Sequence, residues 1–237
     1  MKSRAPSPNR GKAGQAALRV IYWSLFLLLL TLFAALLAAL LGKAIIALGA
    51  GLIVAWFLFS LFCLYFFRDP EPATPEDPEA LICPASGRVD LVAETEEPHF
   101  LKGRCRRISI FMSLFDVHIQ YAPCRAKVAL CRHTAGSFVS ALRTDSAEHN
   151  ERVLIGLESL ESPGERIAVR LVAGLIARRI VPWVSVGEET ARGQRIGIIQ
   201  FGSRVDLFFP LDYEPAVREG QKVRGGVTVA ARKGGRG

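Results

Sequence analysis

Gln200-Phe201-Gly202-Ser203-Arg204-Val205-Asp206 joins two apolar runs, Ile196–Ile199 and Val205–Phe209. Short runs rich in Ile, Val and Phe read as strands. The Gly-Ser pair between them has two readings. As plain structure it is a hairpin turn, and for a pair such as Gly136-Ser137 that reading stands. As chemistry it is a place where a chain can attack itself. Glycine has no Cβ, so it crowds an attacked carbonyl least and tolerates strained dihedrals. Addition of the Ser203 hydroxyl to the Gly202 carbonyl would exchange a peptide for an ester. Elimination from that ester would sever the chain and leave a pyruvoyl group at residue 203, an electron sink for amine substrates.

Outward from this stretch, a spacing repeats. Val184, Gly187, Thr190, Gly193 and Ile196 match Val217, Gly220, Val223, Gly226 and Val229 at a constant offset. Two glycines flanked by apolar residues three positions away describe a strand–turn–strand unit. Further strands are expected at Arg88–Ala93, Arg107–Phe111, His118–Tyr121, Ala126–Leu130, Glu151–Leu157 and Arg166–Val172. Leu171–Arg179 is open between a strand and a short helix. The expected fold is mainly β, a barrel or sandwich built of hairpins.

Upstream the chain changes character. Val20–Leu41 and Ala44–Phe67 are nearly all apolar, each longer than the roughly 20 residues that span a bilayer. Gly42-Lys43 separates them, so a transmembrane helical hairpin is expected before the β domain. Residues 1–19, basic and without acids, read as disordered. Residues 68–80 read as a proline-rich acidic linker, and 81–237 as the β domain. The 237 residues carry a net charge of +8, concentrated at both ends. Beside membrane segments such ends favour anionic lipid over nucleic acid, and the positive-inside bias puts the N-terminus and the domain in the cytoplasm. Five cysteines without a CxxC argue against a disulfide framework or zinc site. No P-loop and no GxGxxG occurs, and no metal is expected.

The blocks Phe67-Arg-Asp-Pro70, Met112-Ser-Leu-Phe-Asp-Val-His-Ile-Gln-Tyr-Ala-Pro123, Asn150-Glu-Arg152, Leu171–Ile180 and Gly193–Asp206 occur in an order that resembles the short bacterial phosphatidylserine decarboxylases. The likeness runs from the first apolar segment to about residue 212. It implies a proenzyme on the inner membrane that cuts itself between Gly202 and Ser203 into a large and a small subunit. It implies a pyruvoyl cofactor made from Ser203, to which the amine of phosphatidylserine condenses as a Schiff base before carbon dioxide leaves. It also implies a fold similar to lipoyl- and biotinyl-carrier hairpins, and leaves a higher oligomer open.

Self-cleavage needs a base, and decarboxylation needs a proton donor with a near-neutral pKa. The resemblance gives that task to His118. On a strand, Asp116 would face the same way as His118 and could orient it. His99, His133 and His149 read as solvated surface residues. Two departures from the family pattern stand out. Ser86 occupies the place of an aspartate in Pro84-Ala85-Ser86-Gly87, and Tyr121 that of an arginine in His118-Ile-Gln-Tyr-Ala-Pro123. Arg204 and Tyr121 are candidates for holding the lipid phosphate. Arg204 and Asp206, flanking the scissile pair, also read as anchors of the loop, and the bland alternative for both is a solvent face alternating with apolar Val205 and Leu207. Ser86 and Tyr121 also motivate a rival function: an uncleaved, impaired relative with a structural or binding role. A carrier domain would need a modifiable lysine, and Lys222 lacks that context.

Overall fold

A computed structural model describes residues 12–38, 42–136, 150–174, 179–200 and 203–234. The chain divides into a helical unit, Gly11–Asp69, and a unit from Pro70 onward. In the helical unit, α1 spans Lys12–Ala38 and α2 spans Lys43–Phe66. Helix α1 therefore begins ahead of Val20, inside the stretch read as disordered. Gly42 precedes α2 with φ of 118°, a conformation that favours glycine. The helices lie against one another closely: a Cβ on Gly49 would sit 2.9 Å from that of Ala35. Arg68 closes α2, donating from Nη1 to the Tyr65 carbonyl at 2.9 Å with its guanidinium 4.0 Å from the Tyr65 ring centroid. Leu30, Phe33, Leu36, Leu48 and Leu58 are exposed, and both helices are long and apolar enough to cross a membrane.

The second unit is mainly β, as expected. Its strands are β1 (Ala80–Ile82), β2 (Gly87–Glu97), β3 (Gly103–Met112), β4 (Ile119–Tyr121), β5 (Ala126–Thr134), β6 (Arg152–Ser159), β7 (Arg166–Ala173), β8 (Ile180–Pro182), β9 (Glu189–Thr190), β10 (Arg195–Ile199), β11 (Ser203–Phe209), β12 (Tyr213–Pro215), β13 (Lys222–Val223) and β14 (Val229–Lys233). Eight form one curled antiparallel sheet in the order β13-β2-β3-β11-β7-β6-β5-β9. Two three-stranded sheets, β1-β14-β12 and β4-β10-β8, complete the domain. The segment left open at Leu171–Arg179 completes β7 as far as Ala173, while 175–178 lie outside the described residues.

The glycine repeat is real structure and extends further than its sequence signal. Gly187, Gly193, Gly220 and Gly226 all have positive φ. The first repeat places β9 on the β5 edge of the large sheet, and the second places β13 on the β2 edge. Matching hydrogen bonds run from Gly187 N–H to the Val128 carbonyl and from Gly220 N–H to the Val89 carbonyl, each 2.8 Å. Both β2 and β5 change register just after those residues, at Val89/Leu91 and Val128/Leu130. The sheet is thus two alike halves, β13-β2-β3-β11 and β9-β5-β6-β7, meeting where β11 pairs with β7.

That central place makes β11 buried along its whole length. Val205, Leu207 and Phe209 join the main core with Ile108, Ile110, Met112, Val169 and Leu171. The other face holds Arg204, Asp206 and Phe208. Phe208 belongs to a smaller cluster with Phe100, Cys105, Leu154 and Ala168. Arg204 is 1 % exposed and Asp206 0 %, so the alternating solvent face read from the sequence is not one. Asp206 accepts from Arg170 Nε at 2.9 Å and Nη2 at 2.6 Å, and Arg204 pairs with Asp90. A charge buried with its partner avoids most of the penalty of leaving water.

Candidate active site

Ser203 is the first residue of β11, paired with Met112 on β3 and Ala173 on β7. Its side chain points to the core face, is fully buried, and donates from Oγ to Met112 Sδ at 3.3 Å. A thioether is a weak acceptor, so the hydroxyl is positioned while giving up little of its proton. Gln120 Nε2 approaches the same sulfur at 3.8 Å and donates to the His118 carbonyl at 2.8 Å. Ser203, Met112, Gln120 and His118 are therefore brought into one linked cluster. Gly202, the other half of the expected scissile bond, lies outside the described residues.

His118 is 1 % exposed and stands just before β4. Its Nδ1 lies 2.9 Å from the Asp116 carbonyl oxygen, which fixes the ring and sets Nδ1 as donor. The Asp116 carboxylate instead accepts from Ser113 N–H at 2.9 Å and Ser113 Oγ at 2.7 Å. Lys222 Nζ stands 3.9 Å from its other oxygen. Asp116 thus meets the His118 ring through its main-chain carbonyl, whereas the carboxylate expected to face the imidazole is directed at Ser113 and closes the 113–118 loop.

Asn150 supports the other side of the site. It is fully buried and donates from Nδ2 to the Ala173 carbonyl at 2.7 Å, fixing the strand end that pairs with Ser203. Its place in the Asn150-Glu-Arg152 block was the available signal. Met112 lay within a quoted block, but nothing in the spacing marked its sulfur as the hydroxyl's partner.

The two departures meet at one turn. Gly225 N–H donates to Ser86 Oγ at 2.9 Å, and a Cβ on Gly225 would sit 2.9 Å from Tyr121 Cδ2. Tyr121 is 1 % exposed, its ring against the Gly225-Gly226 backbone. Arg204 lies on the opposite face of β11 from Ser203, committed to Asp90, which supports an anchoring part for it. Asp90 is the extra residue at the β2 register shift. Burial raises its carboxyl above the usual range, and Asp206 adds to this against the pull of Arg204. Cys83, Cys105 and Cys124 are core residues: burial pushes Cys83 and Cys124 up to about 12 and Cys105 up to about 11, which leaves them unreactive at neutral pH, while Cys131 is half-buried against the core. His99 and His133 are exposed, as expected, and His149 lies outside the described residues.

Known proteins place this arrangement in context. A family-wide sequence model described as "Phosphatidylserine decarboxylase" matches residues 59–231. The chain is 45% identical over 172 residues to a phosphatidylserine decarboxylase proenzyme of Desulfotalea psychrophila, covering 73% of this chain and 79% of that one. It is 43% identical over 196 residues to a protein of the same description from Symbiobacterium thermophilum, covering 80% and 90%. A third, from Pelobacter propionicus, is 42% identical over 205 residues, covering 86% and 90%.

Proposed function

This chain belongs to the phosphatidylserine decarboxylase family and is a decarboxylase, and from that premise we propose that it matures by self-cleavage at Gly202-Ser203 and converts phosphatidylserine to phosphatidylethanolamine. The observation that carries this reading is the buried Ser203 hydroxyl at the head of the central strand, in one cluster with His118.

In the maturation step, Ser203 Oγ forms a bond to the Gly202 carbonyl carbon as the carbon–nitrogen bond breaks. The hydroxyl proton passes to a base, the part proposed for His118, and the freed nitrogen gains one. A base then takes the Ser203 Cα proton as the Gly202 carboxylate leaves Cβ, and the resulting enamine, protonated at Cβ to the imine, takes up water and loses ammonia to leave the ketone at Cα of residue 203. The residues fit such a group: Ser203 sits in a dry, apolar strand end with a weak thioether partner, where the methyl that replaces the hydroxymethyl group loses no strong side-chain hydrogen bond.

That group, once formed, supplies an electron sink for the substrate amine. The chain's own residues do the rest. The β3–β11–β7 ladder holds residue 203 in register, and Asn150 fixes the end of β7. Gln120 and the 113–118 loop hold His118, which delivers a proton to the carbon that loses carbon dioxide. The apolar surroundings exclude water and strengthen each polar contact. Asp116 acts as a positioning residue. The two apolar helices anchor the enzyme in the inner membrane with the domain on the cytoplasmic side, which keeps it beside its lipid substrate.

Carbon dioxide release from phosphatidylserine vesicles tests the reading. Wild type is expected to release it, and Ser203→Ala to be inert. A Ser203→Ala protein as active as wild type would refute the assignment. A folded wild type that is both inert and uncut would instead support the impaired-relative reading that Ser86 motivates.

A further inference from the structure

The face of the large sheet turned away from Ser203 carries a second feature. Four arginines from four strands, Arg107 on β3, Arg132 on β5, Arg152 on β6 and Arg170 on β7, line one open cavity of about 260 Å³, with His99 at its edge. Of the carboxylates nearby, Glu96 lines the cavity from an exposed position, whereas Glu97 and Asp206 are engaged. Glu97 receives the N–H groups of His99, Phe100 and Leu101 at 3.0, 2.7 and 2.8 Å. Asp206 holds Arg170, whose guanidinium is also 4.9 Å from the Phe208 ring centroid. Arg132 Nη1 donates to His99 Nδ1 at 3.3 Å, which requires that nitrogen to carry no proton. Arg107 Nε is buried and has no partner among the described residues. Neither Arg107 nor Arg132 meets a carboxylate within ion-pair distance there.

The Arg107 and Arg132 guanidiniums, with open donor sites, match the oxygens of a phosphate group, which guanidiniums bind by paired hydrogen bonds. We propose that this cavity binds a phosphate-bearing anion, at a site separate from Ser203 and served by Arg107 and Arg132. The phosphate could belong to an anionic lipid headgroup or to a soluble phosphate, and the chemistry of recognition is the same.

The test uses the full chain in neutral detergent micelles. Unfolding temperature is followed on adding inorganic phosphate against chloride at equal ionic strength, and on adding short-chain phosphatidylglycerol against phosphatidylcholine. Ligands that bind the native state raise its apparent stability. Wild type is expected to respond to phosphate, to phosphatidylglycerol, or to both; the first alone assigns a soluble anion and the second alone a headgroup. R107Q/R132Q should bind about tenfold more weakly or worse, with cleavage at 202–203 unchanged. Arg104→Gln is the control: it removes an exposed charge already paired with Glu94 at 2.7 Å and should bind as wild type does. If the double variant does not fold, Arg132→Gln alone, at an exposed position, carries the comparison. No response to either probe in wild type, an undiminished response in the variant, or an equal loss in Arg104→Gln would overturn the proposal.

Discussion

Three side chains decide what Ser203 can do. Met112 holds its hydroxyl, Gln120 joins that sulfur to the His118 main-chain carbonyl, and His118 is the group proposed for proton transfer. Replacing Met112 by Leu keeps the volume, so stability should fall by less than about 1.5 kcal/mol. The hydroxyl loses its acceptor, and the fraction of chain cut at a fixed time should drop; equal cleavage would show that the sulfur does not position it. His118→Gln should lower decarboxylation by about 10²–10⁴-fold, the usual worth of a general acid or base. Activity retained within a few fold would exclude His118 from proton transfer. That Ser203 and His118 are worth testing was legible in the sequence: Ser203 from its Gly-Ser chemistry, and His118 from the block that resembles the family. For Arg204 and Asp206 the sequence left anchoring and a solvent face open, because the partners that decide for burial, Asp90 and Arg170, come from remote strands. Tyr121 was singled out for its place in a block, whereas its ring packs on a glycine turn a hundred residues away.

At the scale of elements, the site depends on β2 and β3 lying close together. Gly87 meets the β3 backbone so tightly that a Cβ would lie 2.1 Å from the Phe111 carbonyl oxygen, one residue from Met112. Gly87→Ala should therefore cost about 3 kcal/mol, a fall of roughly 6–12 °C in unfolding temperature for a domain of this size. An unchanged midpoint would mean that the strands can part at no cost. The register shift beside it carries Asp90, whose carboxyl burial raises. The folded protein holds this proton more tightly than the unfolded chain, so the group favours folding at pH below its unfolded value, about 3.9. That contribution is lost as pH rises through the raised folded value. Denaturant midpoints of wild type relative to Asp90→Asn should accordingly decline as pH rises from about 4, and a flat difference would contradict the burial argument. Strand positions were readable from apolar runs, and the glycine pairs gave one part of the repeat. Its other part, β1–β3 against β4–β6, carries only the faint pairing of Cys83-Pro84 with Ala122-Pro123 and needed the hydrogen bonds to be seen.

For the whole molecule, the position of β11 has a consequence for maturation. A cut before Ser203 frees a fragment that begins with a fully buried strand, hydrogen-bonded on one side to β3 and on the other to β7. The same fragment supplies β12 and β14 to one small sheet and β13 to an edge of the large one. Apolar burial on that scale holds the pieces together without a peptide bond. A mass spectrum under native conditions should therefore show both fragments in one particle, and separation on dilution would contradict this topology. The central claim is tested most directly by the intact mass of the denatured full-chain protein. Two pieces are expected, divided between residues 202 and 203, with the C-terminal piece lighter by one ammonia than a serine-initiated chain and with Ser203→Ala giving one uncut mass. A folded wild type of undivided mass, retaining an ordinary serine at 203, would contradict the account.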